Sequence, residues 1–273
     1  MLLPAGPEDV GVALRIARAR GVPWFVLGLG SNVLLPDAGL DALVLRIGKG
    51  LDRVEAVEER WRLGSGLPAP LAARRTAQAG WAGIHMMVGV PGTVGGGVFM
   101  NAGCHGGQWS DCVESVVGIN PAGETQVLPA REIPFQYRRS GLDGWVILEA
   151  TVRLRAGDPA ELAGEVTKLF EWRQRGTPFN QPCCGSVFKN PGGLGDGRTA
   201  GQLIEAAGLK GAREGEAEVS PMHANYFVNL GAAQAADVRR LIDRVRSAVA
   251  ERFGVVLEPE VKLIGPVGEY LHL

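Results

Sequence analysis

The turn Gly28-Leu29-Gly30-Ser31-Asn32-Val33 sharply limits what this chain can fold into. It opens like a dinucleotide-binding fingerprint, but Val33 stands where the third glycine should be. The order of elements around it also departs from that fingerprint. A helix over 7–20 comes first: Pro7 suits an opening turn, and Val10, Leu14 and Ala17 recur at helical spacing. A short buried strand, Trp24-Phe25-Val26-Leu27, leads into the turn, and Val33-Leu34-Leu35 continues extended after it. A Rossmann unit needs strand, turn and helix in that order, so the architecture is a different one. The chemistry does not depend on that fold. Successive N–H groups in a glycine turn make a concave anion site, to which Ser31 and Asn32 add polar contacts. An ordinary strand-to-strand turn is the alternative.

A second stretch runs from Gly89 to Gly103 as GVPGTVGGGVFMNAG, with six glycines and no charge. Loops facing water usually carry charge. A bare backbone lets a large flat ligand lie against it, whereas tight packing of small residues would use the same glycines. The chain holds 40 glycines, and their clustering argues against a linker or collagen-like repeat.

The remaining pattern is α+β. Strands are expected at 43–47, 113–119, 146–154 and 225–230, and from 255 onward. Helices are expected at 67–79, 158–175, 200–207 and 233–253, the last closed by Gly254. With 273 residues and a net charge of -1, the chain has room for two or three lobes, and nothing in it suggests whole-surface attraction to nucleic acid. No apolar run reaches membrane-spanning length, and the N-terminus does not read as a signal peptide, which suggests a cytoplasmic protein. Cys104, Cys112, Cys183 and Cys184 match no zinc spacing, and the adjacent pair reads as two thiols; no metal is expected.

Three further segments carry polar groups worth a function. Tyr137-Arg138-Arg139-Ser140 offers a guanidinium that could hold a carboxylate bidentately, or only a surface salt bridge. Cys184-Gly185-Ser186-Val187-Phe188-Lys189-Asn190-Pro191 places a serine in a glycine turn. A free serine hydroxyl is a poor acid, so a neighbour must stabilise its alkoxide, and Lys189 is a candidate. In Leu257-Glu258-Pro259-Glu260-Val261-Lys262-Leu263-Ile264-Gly265, spacing alone cannot separate Glu258 from Glu260, which share a strand face.

Taken together, in this order and over about 10–265, these segments resemble the UDP-N-acetylenolpyruvoylglucosamine reductases. The resemblance implies a vanillyl-alcohol-oxidase-type FAD-binding fold of two α/β subdomains with a separate α+β substrate-binding domain. Their expected extents are 1–50 with 256–273, 51–157, and 158–255. It implies FAD held by Gly28, Leu29, Gly30, Ser31, Asn32 and Val33 and by Gly89, Pro91, Gly92, Thr93, Gly95, Gly96, Asn101, Ala102 and Gly103. Arg138 would sit at the flavin and substrate carboxylate, Ser186 would be the proton donor, and Glu260 the catalytic carboxylate. Tyr137, Lys189, Asn190, His223 and Asn225 would contact substrate, although His223 could equally cap a loop. The implied reaction uses NADPH to reduce an enolpyruvyl nucleotide sugar for peptidoglycan synthesis, with no nucleic acid, membrane insertion or obligate protein partner.

Arg138 and Ser186 lie 48 positions apart, which suggests the shorter branch of that family, without the insertion that carries a lid tyrosine. One departure is that the chain starts almost at its first helix, so an edge strand of the FAD lobe is expected to be missing or to lie upstream. A flavin oxidase of the same fold is the main rival; His85 and His105 lie near the glycine stretch, but neither is in a recognisable attachment motif.

Overall fold

A computed structural model describes residues 1–272. By packing the chain forms two units: Met1–Leu29 with Asp41–Trp172, and Gly30–Leu40 with Arg173–Leu273. The second therefore takes in a short segment from near the start of the chain.

In the first unit, α1 (Pro7–Ala19) opens on proline, and Glu8 and Asp9 favour its positive N-terminal end. Its apolar stripe, Val10, Ala13, Leu14 and Ala17, is buried. Val10, Ala13 and Leu14 pack with Leu45, Ile47, Ile119, Val146 and Leu148. Each such large side chain contributes roughly 1.5–3 kcal/mol when fully buried. Trp24–Leu27 and Leu43–Arg46 pair in parallel. Leu2 adds a one-residue parallel bridge to Leu45, its N–H donating to the Val44 carbonyl at 2.8 Å.

A five-stranded antiparallel sheet follows, in the order Thr125–Pro129, Val113–Ile119, Val146–Arg153, Arg60–Gly64, Val54–Val57. Two helices, α2 (Ala69–Gln78) and α3 (Val94–Phe99), share one core with it around Leu63, Val94, Val98, Trp109 and Val116. Thus the bare glycine stretch is not all loop: its middle is a short helix. The helix α4 (Pro159–Gly176) begins in this unit, and Leu162 and Val166 join the same core.

The second unit is built on an antiparallel sheet ordered Cys183–Ser186, Tyr226–Asn229, Ala217–Val219, Arg213–Glu214. Its core combines Leu203 and Ile204 of α5 (Ala200–Ala206) with Leu241, Ile242, Val245 and Val249 of α6 (Ala235–Phe253). Gly254 ends α6 at φ 67°, a left-handed cap that favours glycine. The expected strand from Val255 does not form there. Val255 and Leu257 are buried in irregular chain, and the strand begins at Lys262–Ile264, parallel to Val33–Leu34. Among the described residues no helix is long and apolar enough to cross a membrane.

Candidate active site

In the first unit the two glycine segments meet. A Cβ on Gly28 would stand 3.0 Å from Oγ1 of Thr93, so only glycine lets the turn backbone lie this close to the head of α3. Leu29 is half exposed, and Gly30 takes φ 74°. The turn thus presents backbone outward while resting on Thr93. Along α3 the glycines divide by role. Gly95 and Gly97 face inward, where a Cβ would strike Ser65 or the Trp109 indole. Gly96 is exposed, and a Cβ there would meet only Thr93 Oγ1 at 3.5 Å. Tight packing thus accounts for Gly95 and Gly97 but not for Gly96. Half-buried Gly28 with exposed Leu29 and Gly96 offers backbone that fits a flat, phosphate-bearing cofactor such as FAD.

Two expected cofactor contacts have side chains committed to the protein. Thr93 is buried, and its Oγ1 accepts the Gly96 N–H, capping α3. Asn101 is 0% exposed at φ 41°. Its Oδ1 accepts the Ser110 N–H at 2.9 Å, and its Nδ2 donates to the Gln136 carbonyl at 2.9 Å and to Gln108 Oε1 at 3.2 Å. Any cofactor contact by these two would use backbone. Asn101 instead ties the glycine stretch to the turn that carries Arg138. Ala102 continues the link, its N–H donating to the Gly97 carbonyl at 2.8 Å.

Tyr137 and Arg138 form that turn, closed by Gln136 and Arg139 pairing through their backbones at 2.8 and 3.1 Å. Arg138 sits at φ 58°, a conformation costly for a non-glycine residue and held here by its surroundings. Its guanidinium lies 4.7 Å from the exposed Tyr137 ring centroid and donates to the Gly103 carbonyl at 3.0 Å. Arg138 is thus brought to the end of the glycine stretch. The motif's last residue, Ser140, is buried and donates to the Phe99 carbonyl at 2.7 Å, anchoring the turn to the end of α3.

In the second unit, Ser186 ends an edge strand, after Gly185 at φ 75°. A Cβ on Gly185 would lie 2.9 Å from the Ser31 carbonyl, so this turn rests on the segment that follows Gly30. The next residues pair with the stretch before the C-terminal strand: the Glu260 N–H donates to the Val187 carbonyl at 2.7 Å, and the Lys189 N–H to the Glu258 carbonyl at 2.9 Å. Asn32 locks the same stretch, its Nδ2 donating to the Glu260 carbonyl at 3.2 Å and its own carbonyl accepting the Lys262 N–H at 3.0 Å. Ser186 and Glu260 are therefore held on adjacent backbones, although Glu260 lies in extended chain ahead of the expected strand. Asn32 serves here as a structural tie, and Val33 is strand.

Several expected substrate contacts also make hydrogen bonds within the protein. Asn225 is buried and bonds both backbone groups of Phe188, at 2.9 and 2.8 Å. Asn190 Oδ1 accepts the Ala200 N–H at 3.0 Å, at the start of α5. His223 Nδ1 accepts the Asn225 N–H at 3.2 Å, which is the loop-capping alternative. Burial, then the Arg173 charge, holds His223 below the usual imidazole pKa. Lys189 pairs with the exposed Glu258 carboxylate at 2.5 Å. The group set against Ser186 is instead Tyr226, which the sequence reading did not single out.

The chain belongs to the UDP-N-acetylenolpyruvoylglucosamine reductase family. A relative of that name from Rubrobacter xylanophilus is 43% identical over 97% of this chain and 88% of its own length. Another, from Halalkalibacterium halodurans, is 39% identical over 97% and 87%. The family's C-terminal domain matches residues 177–264, and an FAD binding domain matches 1–128. The crystal structure of the reductase from Thermus caldophilus superposes with a TM-score of 0.78 at 34% identity, covering 92% of this chain and 88% of that one. Membership makes the chain an FAD-binding oxidoreductase and brings the glycine cradle and the Ser186 segment under the two matched domains. His85 and His105, raised by the oxidase alternative, both have protein partners. His85 lies 3.2 Å from Glu165, and the His105 ring packs edge-on against Trp172 at 5.0 Å.

Proposed function

We infer that this protein reduces UDP-N-acetylglucosamine-enolpyruvate to UDP-N-acetylmuramate, with FAD as bound cofactor and NADPH as reductant, in peptidoglycan precursor synthesis. The observation that carries the reading is the pairing that sets Glu260 beside Val187, so that a hydroxyl and a carboxylate occupy neighbouring backbones on one frame. FAD, when bound, supplies hydride transfer between the nicotinamide and the enolpyruvyl group. The protein's own part is to bind, orient and move a proton. Gly28, Leu29 and Gly96 hold cofactor through backbone, with Gly30, Ser31, Gly89, Pro91, Gly92, Gly95, Ala102 and Gly103 completing the two segments. Arg138 holds the substrate carboxylate and offsets the charge that develops on it. Glu260 stabilises the enolate-like state through its hydrogen bonds, and Ser186 delivers the proton to the α-carbon. Tyr137 and Lys189 contact the nucleotide sugar. On this reading 1–50 with 256–273 and 51–157 are two FAD-binding subdomains and 158–255 is the substrate-binding domain. The protein works in the cytoplasm without an obligate protein partner.

The test is NADPH oxidation by FAD-loaded protein, with and without the enolpyruvyl nucleotide. Oxidation that requires the nucleotide supports the reading. Flavin-loaded protein indifferent to it overturns the reading in favour of an oxidase.

A further inference from the structure

Ser186 and Tyr226 are directly opposed across an antiparallel strand pair, the relationship that brings two side chains closest on one face of a sheet. Tyr226 is 2% exposed, an unusual place for a phenol without a task or a partner. It has a partner on one side. Arg173, in the last turn of α4, donates from Nη2 to the phenolic oxygen at 2.5 Å, and its guanidinium carbon lies 5.7 Å from the ring centroid. The His223 ring meets the Tyr226 ring edge-on at 5.0 Å. The phenolic oxygen accepts from a guanidinium, so its own proton points elsewhere; its hydroxyl neighbours are Ser186, directly across the strands, and Thr177. Lys189, the other cation of the motif, is turned to Glu258.

We propose that Tyr226, polarised by Arg173, is the positioning and proton-relay residue for Ser186, and this rests on Ser186 being the proton donor of the reductase. Tyr226 donates to the serine oxygen, which leaves the serine proton free to face substrate. As the Ser186 O–H bond breaks and its proton joins the substrate carbon, the serine oxygen takes the Tyr226 proton. The negative charge then rests on the phenolate beside Arg173, and a water proton restores it. No electron moves in this step and no further reagent is needed. The groups that face Tyr226 agree with this arrangement. Burial raises the phenol's pKa and so keeps its proton at neutral pH, while Arg173, then Ser186 and then Thr177 pull the other way and Cys183 adds a small push upward.

The experiment follows flavin absorbance in FAD-loaded Tyr226→Phe, Ser186→Ala and unaltered protein, reducing each with NADPH and then mixing it with the enolpyruvyl nucleotide. Tyr226→Phe is expected to slow reoxidation by about 10²-fold, the scale of one lost transition-state donor. The nucleotide concentration for half-maximal rate and the NADPH half-reaction should stay within about twofold, because the hydroxyl touches neither ligand. The alkaline limb of the reoxidation pH profile, lying above the usual phenol pKa in unaltered protein, should vanish in the variant. A Tyr226→Phe rate equal to that of unaltered protein, while Ser186→Ala is blocked, overturns the relay but leaves the Ser186 assignment standing. Normal reoxidation by Ser186→Ala overturns both. Should Tyr226→Phe lose its flavin, the profile of the unaltered protein decides: an alkaline limb there supports the relay, and a flat profile overturns it.

Discussion

The indole nitrogen of Trp109 lies 2.3 Å from where a Cβ on Gly97 would stand, and Trp109 is wholly buried. A methyl group at 97 must therefore displace a core tryptophan or move α3. Gly97→Ala is expected to cost about 1–3 kcal/mol, the range for overpacking a core, read as a lower denaturation midpoint. Gly96→Ala, one residue earlier, makes only an ordinary contact with Thr93 Oγ1 at 3.5 Å and should keep its melting temperature while binding FAD more weakly. Equal flavin content in Gly96→Ala and unaltered protein would remove Gly96 from the cradle.

Asn101 makes three side-chain hydrogen bonds, one of which, to the Gln136 carbonyl, joins the glycine stretch to the Arg138 turn, while the others hold Gln108 and Ser110. Asn101→Ala leaves buried partners unsatisfied, at about 1–3 kcal/mol. It should also loosen the turn in which Arg138 holds φ 58°. Chemical denaturation reads the first effect. A rise in the nucleotide KM reads the second, and an unchanged KM would argue against the coupling.

Separate roles predict separate kinetic losses. Ser186→Ala should slow reoxidation of reduced flavin by about 10²–10⁴-fold, as loss of a general acid does. Reduction by NADPH should survive. Stopped-flow measurement of each half-reaction decides, and a defect confined to the NADPH step would rule out Ser186 as the acid.

His223 has its pKa lowered first by burial and then by Arg173. The folded state therefore resists taking a proton that the unfolded chain accepts at its ordinary pKa of about 6.5. Its contribution is present above that value and is lost as pH falls through it toward the depressed folded pKa. The melting temperature should drop between pH 7.5 and 5.5, and by less in His223→Gln. An equal drop in both would assign the effect elsewhere.

Burial pushes the Cys184 thiol up to about 12, and Cys112, with Asp111 adding to the effect of burial, up to about 11. None of the four cysteines is in a disulfide. Because the thiolate is the reacting species, neither Cys112 nor Cys184 should take up iodoacetamide in native protein at pH 8. Both should be modified after denaturation, as peptide mass mapping would reveal.

Helices and central strands could be read from the chain because their signals are local. Pro7 and Gly254 mark helix ends by their own backbone limits, and Val113–Ile119 is a long apolar run. The hairpin Val54–Val57 and Arg60–Gly64 was not anticipated, since Arg60 and Arg62 give it a polar look that only cross-strand partners explain: Glu114 for one, Glu55 and Glu149 for the other. Val255-Val256-Leu257 misled in the opposite way, because burial of two apolar side chains needs no strand. In the candidate site, motifs pointed to Ser186, Glu260, Asn225 and Asn190, but they could not show that Asn225 and Asn190 also bond backbone groups. Tyr226 was missed because its meaning lies in strand register, which brings positions 186 and 226 face to face and which no local pattern encodes.

The tie between Asn32 and the backbone at 260–262 has a consequence for biosynthesis. It joins residues 228 positions apart and supplies the C-terminal strand with its parallel neighbour, Val33–Leu34. On the ribosome, residues 30–40 emerge early and must wait for nearly the whole remaining chain before their partner is made. During that interval the glycine turn hangs from a finished strand at Leu27 with no frame on its far side. Closing so long a loop costs only slightly more entropy than closing a medium one, because the cost grows with the logarithm of length. The delay is thus set by translation rather than by free energy, and the Val33–Leu34 strand gains its parallel neighbour only after Lys262–Ile264 is made.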